Sequence, residues 1–270
     1  MSAPIARAYL FVPGTRIERV AKARAVLPLG VIVDLEDAVP PSDKGSARDA
    51  LARELHDREP VYVRINGPET EWFEDDLKLC ATLALHGVLV PKAENPEDLR
   101  RVATAVAPSV AVIPIVESAR GYANAAGLGE VSQVQRLAFG SIDFQLDLNV
   151  DGEGEELLFF RSGLVLASRL AGLQPPIDGV TVEIDDIEQL RHDTIRGKRL
   201  GFGAKLCIHP KQVPTVLECF RPTSEEVAWA KRVVAAAEAA KGGAVALDGR
   251  MVDRPVILRA EEILRQVAGT

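Results

Sequence analysis

The sequence has no excess of positive charge: 32 lysines and arginines stand against 39 aspartates and glutamates, a formal balance of −7. A broad cationic footprint for nucleic acid or an anionic membrane is not indicated, although a local basic pocket for a small anion is still open. Cysteine is scarce. Cys80, Cys207 and Cys219 are odd in number, widely spaced and without a C-x-x-C pair, so neither a disulfide framework nor a structural zinc site is expected. Reduced thiols in a cytoplasmic protein are the simplest account. Long apolar runs are missing too. The opening MSAPIARAYLFVPG carries only about five apolar residues in a row before Pro13, too few for a signal-peptide core. No later stretch approaches the roughly 20 that a membrane helix needs. HExxH, GxSxG and GxxxxGK[ST] are all absent, and Gly201-Phe202-Gly203-Ala204-Lys205, glycine-rich at the wrong spacing, reads as a tight turn.

What is present is an alternation. The 270 residues, 47% hydrophobic and 26% charged, fit an ordinary globular protein of one large or two small domains. Eight short β-branched runs recur: Tyr9–Pro13, Gly30–Asp37, Val61–Asn66, Gly87–Lys92, Val110–Glu117, Arg136–Asp143, Gly179–Ile184 and Ala204–Pro210. Nearly continuous apolar character suggests strands covered on both faces, as in parallel sheets. The runs start 21 to 31 residues apart, except for one gap of 43 between the sixth and seventh, so each gap suits one crossover helix and the longest an insertion. Helical patterns fill the gaps at Ser42–His56, with Ser42 as its cap, Pro96–Ala107 behind Asn95, Glu155–Ala171 and Glu188–Leu200. Eight such units close a (β/α)₈ TIM-type barrel. An open doubly wound sheet is the competitor, but no dinucleotide fingerprint follows the first strand.

Past the eighth run the alternation stops. A helix over Ser224–Lys241, a hairpin-like excursion over Val245–Val256 around Asp248-Gly249, and a last helix over Pro255–Val267 form a C-terminal helical and hairpin appendage. The expected division is residues 1–222 for the barrel and 223–270 for the appendage.

In such a barrel, side chains at the carboxyl ends of strands make the active rim. The rule selects Glu36 and Asp37, Arg64 and Asn66, Lys92, Glu117, Asp143, and Lys205 or His209. Four acids on one rim repel each other unless some are protonated or a cation sits among them. Glu117 and Asp143 are the sharpest pair, because strands five and six would be neighbours about 4.8 Å apart, close enough to share one Mg2+. Water and substrate would complete its shell. The plainer readings are a helix cap or first-turn charge for Glu117, a loop solvation role for Asp143, and a rim salt bridge to Glu36 for Arg64. Lys92 reads equally well as a partner of rim acids or a substrate contact. His209 is a weak catalytic candidate, and His56, His86 and His192 fall in helical segments.

These residues carry a resemblance. RAYLFVPG (Arg7–Gly14), DLEDAV (Asp34–Val39), VRIN (Val63–Asn66), PKAE (Pro91–Glu94), IVES (Ile115–Ser118), FGSID (Phe139–Asp143), CIHP-x-Q (Cys207–Gln212) and DGRMVDRPV (Asp248–Val256) span almost the whole chain. Together they resemble the citrate lyase β-subunit-like proteins, within the metal-dependent HpcH/HpaI aldolase group that includes malyl-CoA and citramalyl-CoA lyases.

The resemblance implies a (β/α)₈ barrel with Mg2+, or alternatively Mn2+, on Glu117 and Asp143, and Arg64 binding substrate oxygens alongside Glu117. It also implies a homotrimer in which Asp253 of a neighbouring subunit completes the site, the appendage reaching across. CoA, as part of the substrate, is expected near Arg16, Arg19 and the Ile208–Pro210 loop. The implied reaction splits a 3-hydroxy-dicarboxyl-CoA thioester into acyl-CoA and a 2-oxo acid. Mg2+ would acidify the hydroxyl, Arg64 hold oxyanion charge and Asp253 exchange the proton at carbon. Asp37 joins the catalytic set, with Glu36 and Lys92 in support. Three rivals stand: a pyruvate-type aldolase on free hydroxy-keto acids, a malyl-CoA-type thioesterase, and a non-catalytic acyl-CoA-binding protein. The aldolases carry histidine directly after the strand-two glutamate, where this chain has Asp37, which favours the thioester branch. Neither nucleic acid nor membrane is an expected partner.

Overall fold

The computed structural model describes residues 6–25, 30–55, 60–239 and 245–268. The chain divides into two compact units, the first Ala6–Leu217 and the second running from Glu218 onward.

The first unit is a closed barrel of eight parallel strands in sequence order. They are β1 (Ala8–Pro13), β2 (Gly30–Asp34), β3 (Val61–Arg64), β4 (Leu85–Val90), β5 (Ala111–Val116), β6 (Ala138–Phe139), β7 (Ile177–Asp178) and β8 (Ala204–Cys207). β1 closes the ring on β8, with Leu10 opposite Cys207. The β-branched runs are buried because each strand is covered by side chains inside and by helices outside. Tyr9, Ile32, Leu89, Ile113, Ile115, Ala138, Ile177, Ala204 and Leu206 form one continuous buried cluster. Arg136 is buried with them, its Nε and Nη2 donating to the Pro175 carbonyl at 2.9 and 2.5 Å.

The long sixth gap holds the insertion, helices Ser141–Leu148 and Leu158–Leu170. Asn95 caps helix Pro96–Ala105 as expected, accepting from the Glu97 N–H at 3.0 Å. Ser42 does not cap. A 3-10 turn over Pro41–Asp43 intervenes before helix Lys44–Leu55, and the Ser42 hydroxyl donates to Asp43 instead.

Two strands differ from their expected spans. β6 is only two residues long, and the expected Arg136–Asp143 run ends in a helix, because Gly140 breaks the strand and Ser141 begins Ser141–Leu148. β7 lies at Ile177–Asp178, upstream of the Gly179–Ile184 run, which forms an irregular loop with Val182 half exposed. Pro175-Pro176 hides the strand start from composition, while pairing of Ile177 with Ala204 fixes it in space. His86 lies on β4, exposed, and not in a helix. His192 lies in helix Ile187–Leu200, and His56 falls outside the described residues.

The second unit packs helix Ser224–Ala239 against helix Arg254–Ala268 around Ala230, Val233, Val252 and Ala260. Between them β9 (Val245–Leu247) and β10 (Arg250–Val252) form the hairpin, turning through Asp248 and Gly249 at φ 52° and 73°. Positive φ at both positions is the signature of a two-residue hairpin turn, and Asp-Gly supplies it.

Candidate functional site

The rim is assembled strand by strand from its carboxyl ends. Asp34 is the last residue of β2 and stands in register opposite Arg64, the last residue of β3. The two form a fork: Arg64 Nε donates to Asp34 Oδ1 at 2.7 Å and Nη2 to Oδ2 at 2.6 Å. The same carboxylate accepts the N–H groups of Glu36 and Ala38, and the buried Lys44 ammonium ties the Leu35 and Glu36 carbonyls from below. A buried ionic fork with every oxygen partnered fixes both the turn and the guanidinium. That leaves Nη1 of Arg64 facing outward, 2.9 Å from Glu36 Oε2 and 3.3 Å from Asp37 Oδ2, with the guanidinium stacked 4.7 Å over the Phe11 ring.

Glu117 follows β5 directly and is buried, its Oε1 accepting the Lys92 N–H at 2.7 Å. It does not cap the following helix. Ser118 does that, accepting from the Gly121 N–H. Gly140 makes room for the carboxylate, since a Cβ there would lie 2.4 Å from Glu117 Oε2. Asp143 sits in the first turn of Ser141–Leu148, not on a strand end, and its side chain is 42% exposed.

The three acids converge. Lys92 Nζ stands 3.4 Å from Asp143 Oδ1, 3.7 Å from Glu117 Oε1 and 3.9 Å from Glu36 Oε1. Glu117 and Asp143 therefore point to one place on one side of the barrel. Burial pushes the Glu117 carboxyl up to about 7, the Lys92 ammonium opposing and Asp143 adding to the rise. Burial likewise pushes Glu36 up to about 8, against Arg64 and with Asp37, Glu117 and Asp34 reinforcing it. The Oε2 of Glu36 is a buried acceptor without a hydrogen bond, despite its nearness to Arg64.

The other candidates stand apart from this cluster. Asn66 is held by the buried Asp76, and the Lys205 ammonium donates to the Gly179 carbonyl. His209 Nδ1 accepts from the Lys211 N–H within its own loop. Arg16, beside Glu18, and Arg19 are exposed after β1, and Ile208 is exposed after β8. Asp253 lies in the second unit, where its Oδ1 accepts from the Val256 N–H at the start of Arg254–Ala268. Asp34 is the site residue that the sequence reading passes over. Its signal is an acid closing a strand that is otherwise entirely apolar and buried.

The HpcH/HpaI aldolase/citrate lyase family model matches residues 7–210, from the first strand to the eighth-strand loop. The chain belongs to this family. By this membership it is an enzyme of the lyase type, citrate lyase β-like. A citrate lyase subunit beta-like protein of Deinococcus radiodurans is 38% identical over 99% of this chain and all of its own length. A (3S)-malyl-CoA thioesterase of Cereibacter sphaeroides is 32% identical over 96% of this chain and 93% of its own. Among solved structures, protein CitE from Mycobacterium tuberculosis, in complex with magnesium, acetoacetate and coenzyme A, superposes with a TM-score of 0.87. It is 35% identical, over 97% of this chain and 98% of that one.

The rim acids carry a pH dependence. Both carboxyls hold their protons above the ordinary 4.5, so the protonated folded form is favoured below that value, and this contribution to stability fades as pH rises through about 7 and 8. A divalent cation held by Glu117 would have to displace that carboxyl's proton. Its apparent affinity in calorimetry should rise about tenfold per pH unit below neutrality and level off above the Glu117 transition. A flat profile from pH 6 to pH 8 (roughly one decade expected) contradicts the assignment.

Proposed function

We propose that this chain is a Mg2+-dependent lyase that cleaves a 3-hydroxy-dicarboxyl-CoA thioester, such as citramalyl-, malyl- or citryl-CoA, into an acyl-CoA and a 2-oxo acid. The observation that carries this reading is the convergence of Glu117 and Asp143 on one cationic point beside the anchored Arg64. The donors fit the ion: hard carboxylate oxygens suit Mg2+, which keeps several waters and takes one or two carboxylates. Among the described residues no three His, Cys, Asp or Glu side chains gather as a metal site, so the reading rests on the two carboxylates. The M. tuberculosis structures, one in complex with magnesium, acetoacetate and coenzyme A and another with oxaloacetate and magnesium, support the same ligand classes here.

Bound there, Mg2+ supplies Lewis acidity toward a substrate hydroxyl. Arg64, oriented by Asp34, presents Nη1 as a fixed donor toward developing oxygen charge; such a donor is typically worth about 3–4 kcal/mol. Glu36 and Asp37 hold that nitrogen from the sides and are placed to orient bound water. The loops after β1 and β8 are adjacent, offering Arg16, Arg19 and Ile208–Pro210 as one edge for CoA. The proton at carbon is assigned to Asp253 of a neighbouring copy in a homotrimer, the second unit acting across the subunit boundary. The protein acts in the cytoplasm, a reading in keeping with three buried cysteines, of which burial raises Cys207 to about 12, far from nucleophilic. No described helix is long and apolar enough to cross a membrane.

A second reading, hydrolysis of the thioester, is favoured by the likeness to (3S)-malyl-CoA thioesterases. One assay separates the two. Purified protein is given citramalyl-, malyl- and citryl-CoA, with Mg2+ or EDTA, and products are resolved chromatographically. Acyl-CoA with 2-oxo acid supports cleavage, free CoA with intact hydroxy acid supports hydrolysis, and no turnover with EDTA making no difference overturns both. In the same assay Asp253→Asn should lose turnover yet still bind CoA. Mixing it with Arg64→Ala should restore part of the activity, and a monomer by light scattering rules the trans arrangement out.

A further inference from the structure

Glu117 and Asp143 are not supported alike. Glu117 is buried beside a strand end and held by a backbone N–H, whereas Asp143 is half exposed at the start of an eight-residue helix. The residue preceding that helix, Gly140, has no side chain to cap it. Something else must fix the helix if Asp143 is to meet a metal with the tolerance a coordination shell demands.

The helix is gripped from one face by Glu153. Its Oε1 accepts from the Ser141 hydroxyl at 2.8 Å and from the Gln145 amide at 2.7 Å. Residues 141 and 145 are one helical turn apart and bracket Asp143. Gln145 also donates to the Ser141 carbonyl and accepts the Gly152 N–H, closing the insertion loop onto the helix. The other end of Glu153 is anchored in the barrel. Arg161, 1% exposed, donates Nη2 to Glu153 Oε2 at 2.5 Å, Nη1 to the Glu153 carbonyl at 2.7 Å and Nε to Asp178 Oδ1 at 3.0 Å. Asp178 is the last residue of β7 and is itself buried. The guanidinium lies 5.3 Å over the Phe139 ring of β6. An unbroken chain of charged hydrogen bonds thus runs from the carboxyl end of β7 through Arg161 and Glu153 to the helix that bears Asp143.

We infer that Glu153 is a positioning residue for the metal centre: through Ser141 and Gln145 it sets the placement of Asp143 and so the affinity for Mg2+. The inference rests on the metal assignment above. Partners that orient metal ligands typically change affinity by about 10–100-fold when removed. A brace that served only the fold would change stability and leave affinity alone.

The test is calorimetric titration of the full-length protein with MgCl2 alone, without substrate. Glu117→Ala is the control that checks the metal assignment itself. Glu153→Ala should weaken Mg2+ binding about tenfold or more, while far-ultraviolet circular dichroism stays that of the parent. Glu153→Gln keeps an acceptor for Ser141 and Gln145 and should recover most of the affinity. If Glu153→Ala does not fold, the double variant Ser141→Ala with Gln145→Met decides, since it leaves the Arg161 ion pair in place and should weaken binding likewise. Affinity within twofold of the parent in either folded variant, with Glu117→Ala abolishing binding, overturns the inference alone. Mg2+ binding that survives Glu117→Ala overturns the metal assignment and the inference with it.

Discussion

Replacing Glu117 by alanine should remove measurable Mg2+ binding while leaving the barrel folded. The site offers two carboxylates, and Glu117 is the one that is buried and rigidly held, so its loss must exceed the roughly 10–100-fold that supporting residues command. The fold survives for a physical reason. In the metal-free protein this carboxyl is a liability, its charged form opposed by burial and by Asp143, which is why it holds its proton to about 7. Alanine removes that opposition and, above neutral pH, should leave the thermal midpoint of the metal-free protein unchanged or raised, at the cost of one unsatisfied Lys92 N–H. Titration of metal and thermal melting in EDTA check the two halves together. Unaltered Mg2+ affinity contradicts the ligand assignment.

Asp34→Ala carries the largest expected loss of stability. It strips Arg64 of both bonds of its fork and releases the N–H groups of Glu36 and Ala38. Removing one partner of a buried ion pair costs about 3–5 kcal/mol, because the remaining charge is still away from water. The guanidinium would also be free to turn toward Glu36 and Asp37, so turnover should fall further than the folded fraction explains. Chemical denaturation with parallel kinetics measures both. A loss below about 1 kcal/mol would mean that Glu36 and Asp37 suffice to hold Arg64.

The barrel was legible because spacing and β-branched runs are properties of the chain itself. Six of the eight strands announce themselves as apolar runs, and the gap of 43 residues announces the insertion. β6 and β7 do not, since each is two residues long and defined by pairing with neighbours rather than by composition. Val182 and Ile184, strand-like in type, lie in an exposed loop for the same reason.

The site divides in the same way. Glu117, Arg64 and Lys92 follow from the rule that barrel chemistry gathers where strands end. Asp143, which the same rule selects, stands in the first turn of a helix that begins just after Gly140, within reach of the Lys92 ammonium that Glu117 also faces. Asp34 was not found, since its importance lies in a side-chain fork across two strands that no linear pattern displays. The Glu153 brace was invisible for a stronger reason: its partners come from the insertion, helix Leu158–Leu170 and β7, joined only by folding.

Lys92 adopts φ 47°, a left-handed turn that glycine makes freely and a lysine does not. A laboratory campaign that rewarded heat tolerance alone would be drawn to glycine here, gaining backbone ease while discarding the ammonium that sits among three acids. Hardier versions of the catalyst are better sought on the outer helices, with residue 92 left as evolution set it.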